Sequence, residues 1–373
     1  MKKPTTLKSV LVVLFFIQTF IVFAQKDFTP RYDTSLKGDM LLIGNNILNR
    51  DRNRNNERPN NAYNDGSDNN DFTMGYINVD PGGGRFSSSS ATLKIPDASK
   101  ECYKIAYAGL YWTGIYSRAD VTNRVVDRTK LGSVEFKLAN TNTYQKVEGE
   151  KIYDYYENNP NTANGSQVIY AYYSNVTKLI QDLPNPEGIY TLANVIATNG
   201  QIDGGFAAGW SLFVIYEDPK LSAKYITSFD GFRFIKANSP DVNYDISGFK
   251  TIPNGEVKVK LAFAAIEGDQ KTTGDRYSLN GTDLFTNQRP VNNFFNSSIN
   301  NVSGAFNGVN DRNPNSVNTL GYDSGIIKLE NTINNVIIKN NDTKATLKLK
   351  TSGDGYGLFF NAFNVEIIEP NIV

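Results

Sequence analysis

The chain has 373 residues, with 38 Lys plus Arg balanced by 38 Asp plus Glu, one cysteine and no histidine. The charge balance argues against nucleic acid or an anionic membrane as a partner, and a lone cysteine, Cys102, excludes an intramolecular disulfide. The absence of imidazole removes Ser-His-Asp and Cys-His catalysis and His-ligated zinc, leaving paired carboxylates, Lys or Tyr bases, or oxygen-ligated cations.

The opening "MKKPTTLKSVLVVLFFIQTFIVFAQ" has lysines at 2, 3 and 8, an apolar run from Val10, and small residues Val22 and Ala24 before the expected cut. This is the pattern of a secretory signal peptide over residues 1–24, and the run is too short and too interrupted by Gln18 and Thr19 for a retained span. The expectation is a secreted or outer-surface protein with no transmembrane segment after cleavage. From 25 to 85 the sequence is polar and asparagine-rich, notably "NRDRNRNNERPNNAYNDGSDNND" from Asn49. Such composition predicts a surface excursion, with one apolar island at "DMLLIGNNIL" able to add a strand.

Beyond residue 86 strand patterns recur. Val134, Phe136 and Leu138 alternate with Glu135 and Lys137; Val257, Val259, Leu261 and Phe263 alternate with Lys258 and Lys260; Leu347 and Leu349 alternate with Lys348 and Lys350. Period two with one wet face predicts antiparallel strands over a shared core. Runs such as "YKIAYAGLYWTGIY", "GWSLFVIYE" and "GLFFNAFNVEII" are apolar on both faces and suit central strands. One stretch reads as helix, near residues 175–183: Ser174 or Asn175 can cap, Val176, Leu179, Ile180 and Leu183 share a face, and Pro184 stops it. The expected fold is an all-β antiparallel sandwich of jelly-roll type over 86–373, as one unit or two packed sub-sandwiches.

Four blocks carry a family resemblance: "YAGLYWTG" at Tyr107, "DGGFAAGWSLFVIYEDPKLSAKYITSFDGF" at Asp203, "EGDQKTTGDRYSLNG" at Glu267, and the closing third with "FFNSSI", "RNPNSVNTLGYDSGIIKL" and "LKLKTSGDGYG". In this order they resemble the amino-terminal β-rich domain of large bacterial adhesin-like surface proteins, which precedes immunoglobulin-like repeats of unknown function and in gliding bacteria accompanies the type IX secretion route. The resemblance implies a binding or display role, with a glycan or a surface protein as partner, and no catalytic residue.

Glu267, Asp269, Asp275 and Asp283 supply carboxylates among Gly268, Gly274 and Gly281, which suits a calcium loop, yet the spacing does not follow the EF-hand. Any exposed turn uses the same residue types, so a solvated connector is the plainer reading. "NDGSDNND", Asn64 to Asp71, raises the same pair of readings. Calcium is therefore an open alternative and no cofactor is required. A glycosidase needs two carboxylates across a sugar. Glu217, Asp218, Asp230 and Glu267 are the candidates, although Asp218-Pro219 and "FDGF" also read as turns. Trp112 and Trp210 could stack on sugars, but both lie in apolar strand patterns that predict burial. The four Asn-X-Ser/Thr matches, at Asn164, Asn175, Asn280 and Asn296, read as coincidence in an asparagine-rich chain.

Overall fold

The structure, a computed structural model, describes residues 25–51, 67–96, 102–117, 127–159, 168–300, 311–331 and 336–369. The expected signal peptide lies outside these residues, as do Asn164 and the first three residues of the 64–71 loop.

The chain is an all-β sandwich, as the alternation predicts. Its largest sheet has ten strands, in the order Ile299–Asn300, Tyr322–Lys328, Val259–Ile266, Tyr356–Glu366, Ala223–Ile235, Lys26–Asn46, Ala208–Glu217, Lys104–Ile115, Ile169–Asn175 and Glu150–Asp154. Smaller sheets of five and four strands contain, respectively, the Ser88–Leu93, Gly188–Ala193 and Ser133–Lys137 strands and the Val242–Ser247, Lys344–Thr351 and Asp275–Leu279 strands. Pairing in the large sheet is antiparallel except between Ile299–Asn300 and Tyr322–Lys328.

The buried side chains form two clusters. Alternation along one strand assigns its residues to them: Val259, Leu261, Phe263 and Ala265 join the second cluster, whereas Ala262, Ala264 and Ile266 join the first. This part of the large sheet is therefore dry on both faces, the condition under which a strand loses its polar alternation. Aromatic rings join strands that are not neighbours in the large sheet: Tyr111 and Phe213 each meet Phe360, with centroids 4.5 and 5.2 Å apart. Tyr153 stacks on Phe232 at 4.0 Å.

The polar amino-terminal stretch differs from its expected course. Lys26–Asn46 is a 21-residue strand at the middle of the large sheet. Its first half, to Lys37, pairs with Ala223–Ile235, and from Gly38 it pairs with Ala208–Glu217. The expected apolar island is the buried half, while "KDFTPRYDTSLK" is drawn into register by its neighbour despite a polar composition. The register slips at Pro30/Tyr32, where a proline has no N–H to offer the ladder.

The expected helix is present and shorter, Thr177–Gln181, with the Asn175 side chain accepting from the Thr177 N–H at 3.0 Å. A second short helix, Tyr155–Asn158, was not foreseen; Asp154 starts it by accepting from the Tyr156 N–H. Among the described residues no helix is long and apolar enough to cross a membrane.

Candidate functional site

At one end of the large sheet the chain leaves the Val259–Ile266 strand into Glu267 and Asp269, begins the Asp275–Leu279 strand, and enters the Tyr356–Glu366 strand after Asp354. Because these strands are antiparallel, their acidic ends meet although they are far apart in sequence. The turn at Asp68 joins them: Asp68 Oδ1 accepts from the Lys271 N–H at 2.9 Å, and the Asn69 amide donates to Glu267 Oε1 at 3.3 Å. The Asp269 N–H donates to Asp354 Oδ2 at 2.8 Å. Both acidic loops flagged in the sequence thus contribute to one cluster, together with Asp354 and Asp323, which no local motif marked.

The electrostatics follow from crowding. Burial, reinforced by Asp68, Asp323, Asp71 and Asp275, pushes the Asp269 carboxyl up to about 8. Burial and then the Asp269 charge push Asp354 up to about 9. Asp275 rises to about 6 through burial, moderated by the hydrogen bond from the Phe295 N–H. Glu267 is raised well above its ordinary value by burial and by Asp269. It also sits at φ +73°, a left-handed conformation that a non-glycine residue adopts at a cost. Asp275 is fully buried, and its Oδ1 accepts no hydrogen bond among the described residues.

Asp283 does not join the cluster. Burial alone would raise it, but Ser278, Arg276 and Lys350 hold it down to about 2. Its oxygens lie 2.8 Å from Arg276 and 3.0 Å from Lys350. It is the staple of a hairpin, already neutralised.

Calcium takes six to eight oxygen ligands. Among the described residues no three acidic side chains are disposed to hold a metal ion as they stand. The cluster concentrates carboxyl groups and leaves one buried oxygen without a donor among the described residues, but it is not a formed cage.

The other candidates, Glu217 apart, are committed elsewhere. Asp230 is buried against Arg31 at 2.6 Å, and the same guanidinium binds Glu150 at 2.9 Å. Asp218 is buried and accepts from the Lys220 N–H at 2.9 Å, as a turn carboxylate does. Glu217 is exposed at the end of its strand. Trp112 and Trp210 are fully buried, their indole N–H groups donating to Leu131 O at 2.8 Å and Ser89 Oγ at 2.9 Å, so neither offers a stacking face. The Asn280 and Asn296 amides donate to the Ile337 and Gln288 carbonyls. Cys102 is partly buried, its Sγ 3.6 Å from Asp218 Oδ1. A cavity of about 700 Å³ opens beside the Thr177–Gln181 helix, lined by Tyr103, Ile105, Leu183 and Pro186, with Glu187 as the acidic side chain of its lining. It does not set two carboxylates opposite each other.

No family model matches the chain, and no curated protein matches it. Solved structures give distant likenesses. BuGH86wt in complex with neoagarooctaose is 11% identical over 73% of this chain, with a TM-score of 0.23. The major capsid protein P2 from bacteriophage PM2 is 10% identical over 76% of this chain and 93% of its own, at 0.19. PNGF-II is 10% identical over 89% and 66%, at 0.24. The chain spans about a third, 34%, of the BuGH86wt protein. Scores of this size carry no argument about fold or function.

Proposed function

We propose that the chain is an exported, adhesin-like binding and display module that performs no catalysis, with a glycan or a surface protein as its partner. Export rests on the basic and apolar opening of the sequence, and the adhesin-like reading on the ordered blocks from Tyr107 onward. The observation that carries the non-catalytic part is the commitment of three of the four candidate carboxylates, the fourth, Glu217, standing exposed at a strand end with none of the others facing it. Asp230 is locked to Arg31, Asp218 serves a turn, and Glu267 is buried within a cluster of its own kind. A hydrolase needs one carboxyl free to give a proton and a second facing it across the substrate. Retention of the mature chain on a glycan array, or on intact bacterial cells, tests the binding role; a chain that passes unretained over both contradicts it.

A second reading, calcium-dependent binding, is favoured by the gathered carboxyls around Asp269 and by the unsatisfied Asp275 Oδ1. A divalent cation would replace the protons that crowding forces onto these groups. Calcium binding the native fold alone must raise the melting temperature. The test is a melt with chelator against one with millimolar calcium, on the parent chain and on Asp269→Asn. No shift in the parent, or the same shift in both, removes this reading while leaving the first intact.

A further inference from the structure

The opposite end of the same strands is basic. A cavity of about 380 Å³ is lined by Lys220, Lys224, Lys258, Lys260 and Lys328, with Asp39 as the acidic side chain among them. A chain neutral overall thus concentrates five positive charges against one negative in a space within the roughly 300–1,000 Å³ of small-ligand sites.

The lysines are placed there by register. Lys224, Lys260 and Lys328 share the faces of Ile226, of Ala262 and Ala264, and of Ile326, the residues that fill the first cluster. Apolar packing thus ends where the strands end, and lysines line the mouth. Lys260 lies directly opposite Lys328 on one side and Asn364 on the other. Like charges facing across a strand pair are unfavourable unless something between them is negative.

The protein supplies too little of that charge. Asp39 Oδ2 takes Lys260 at 2.6 Å and Lys224 at 3.5 Å, while its Oδ1 takes the Asn364 amide at 2.9 Å and the Met40 N–H at 2.8 Å. Lys224 is buried, its ammonium lowered by desolvation and only partly supported by Asp39. Lys258 lies 3.6 Å from Glu366, and Lys328 has no carboxylate partner among the described residues. Asp39 is therefore saturated, and a surplus of positive charge lines a recess.

We propose that this cavity binds an oxyanion: a sulfate, phosphate or carboxylate group carried by a ligand of about monosaccharide size. Lys328 and Lys258 form the open arm of the site, and Lys224 and Lys260, fixed by Asp39, form its floor. The inference stands on the cavity alone and does not depend on the adhesin-like reading or on calcium.

Isothermal titration of the full mature chain at low ionic strength, with inorganic sulfate, inorganic phosphate, glucuronate and neutral glucose as separate probes, tests it. The expected result is saturable binding of at least one anion and none of glucose; which anion binds identifies the group. Lys328→Gln should weaken that binding about tenfold or more, the worth of a hydrogen bond to a charged group, with a melting temperature no lower than the parent's. Lys146→Gln, on an exposed strand of the five-stranded sheet, should leave it unchanged. Absence of saturable binding for all three anions, binding of glucose equal to that of glucuronate, or equal losses in the two variants overturns the proposal.

Discussion

Arg289 and Asp323 form a salt bridge of 2.8 Å in which neither side chain has exposed area. The guanidinium also donates to the Phe294 and Ser298 carbonyls, at 2.5 and 2.6 Å, and to Asn300 Oδ1 at 2.6 Å, while the carboxylate accepts from the Ser297 and Ser298 N–H groups. One buried pair thus ties the 289–300 segment to the Tyr322–Lys328 strand and gives Asp323, a member of the acidic cluster, a buried cationic partner. Removing one partner strands the other charge in a dry interior. Asp323→Ala should destabilise the fold by about 3–5 kcal/mol in urea unfolding, while Arg289→Met with Asp323→Leu should cost less than either single change. A single variant within about 0.5 kcal/mol of the parent contradicts this role.

The acidic cluster predicts the sign of the pH dependence. Asp269, Asp354 and Asp275 have folded values of about 8, 9 and 6, above those of the unfolded chain, so the folded state holds more protons in between. Their contribution is complete below about pH 4 and is lost progressively as pH rises from there through the folded values, so melting in chelator should fall from about pH 4 to about pH 9, most steeply below pH 6 where all three groups contribute. Asp354→Asn, which keeps an acceptor for the Asp269 N–H, should flatten the profile. It should gain about 1 kcal/mol at pH 8, less than the worth of one pKa unit. Asp283 acts in the opposite direction: its depressed value of about 2 gives stability that disappears as pH falls below 4.

Trp112 is treated by this fold as core. Its indole stacks on Tyr172, and a Cβ added at Gly149 would lie 2.3 Å from Trp112 Cη2. Trp112→Ala should therefore cost about 3–5 kcal/mol, and Gly149→Ala about 1–3 kcal/mol by overpacking. A Trp112→Ala chain that melts like the parent but loses glycan retention would restore the stacking-platform reading.

The strands of the interior were legible because lysine or glutamate marks their wet positions, as in "EVKVKLAF". The dry runs around Trp112, Trp210 and Phe360 were legible as central strands through length and aromatic content. The Lys26–Asn46 strand was legible only from Asp39 on. Its first half offers Pro30 and charged residues where a strand pattern wants apolar ones, and it is held by the Ala223–Ile235 strand beside it. In the acidic cluster the residue types were visible at Glu267, Asp269 and Asp275, and faintly at Asp68. Their meeting with Asp323 and Asp354 was not, because antiparallel pairing over tens of residues decides which strand ends are neighbours. Asp283 was misleading for the same reason: Arg276 and Lys350, which neutralise it, approach from its own hairpin and from the adjoining strand. The lysine-lined cavity shows the same limit, since Lys260 and Lys328 belong to separate patterns and only register sets them face to face.

The proposed binding role requires that these carboxylates perform no chemistry. Release of new reducing ends from a panel of neutral, sulfated and uronate-bearing polysaccharides, followed for the parent chain and for Glu267→Gln and Asp230→Asn, tests it most directly. No release above the buffer control is expected for any of the three proteins. Release by the parent that either substitution abolishes, in a chain that still melts cooperatively, would contradict it.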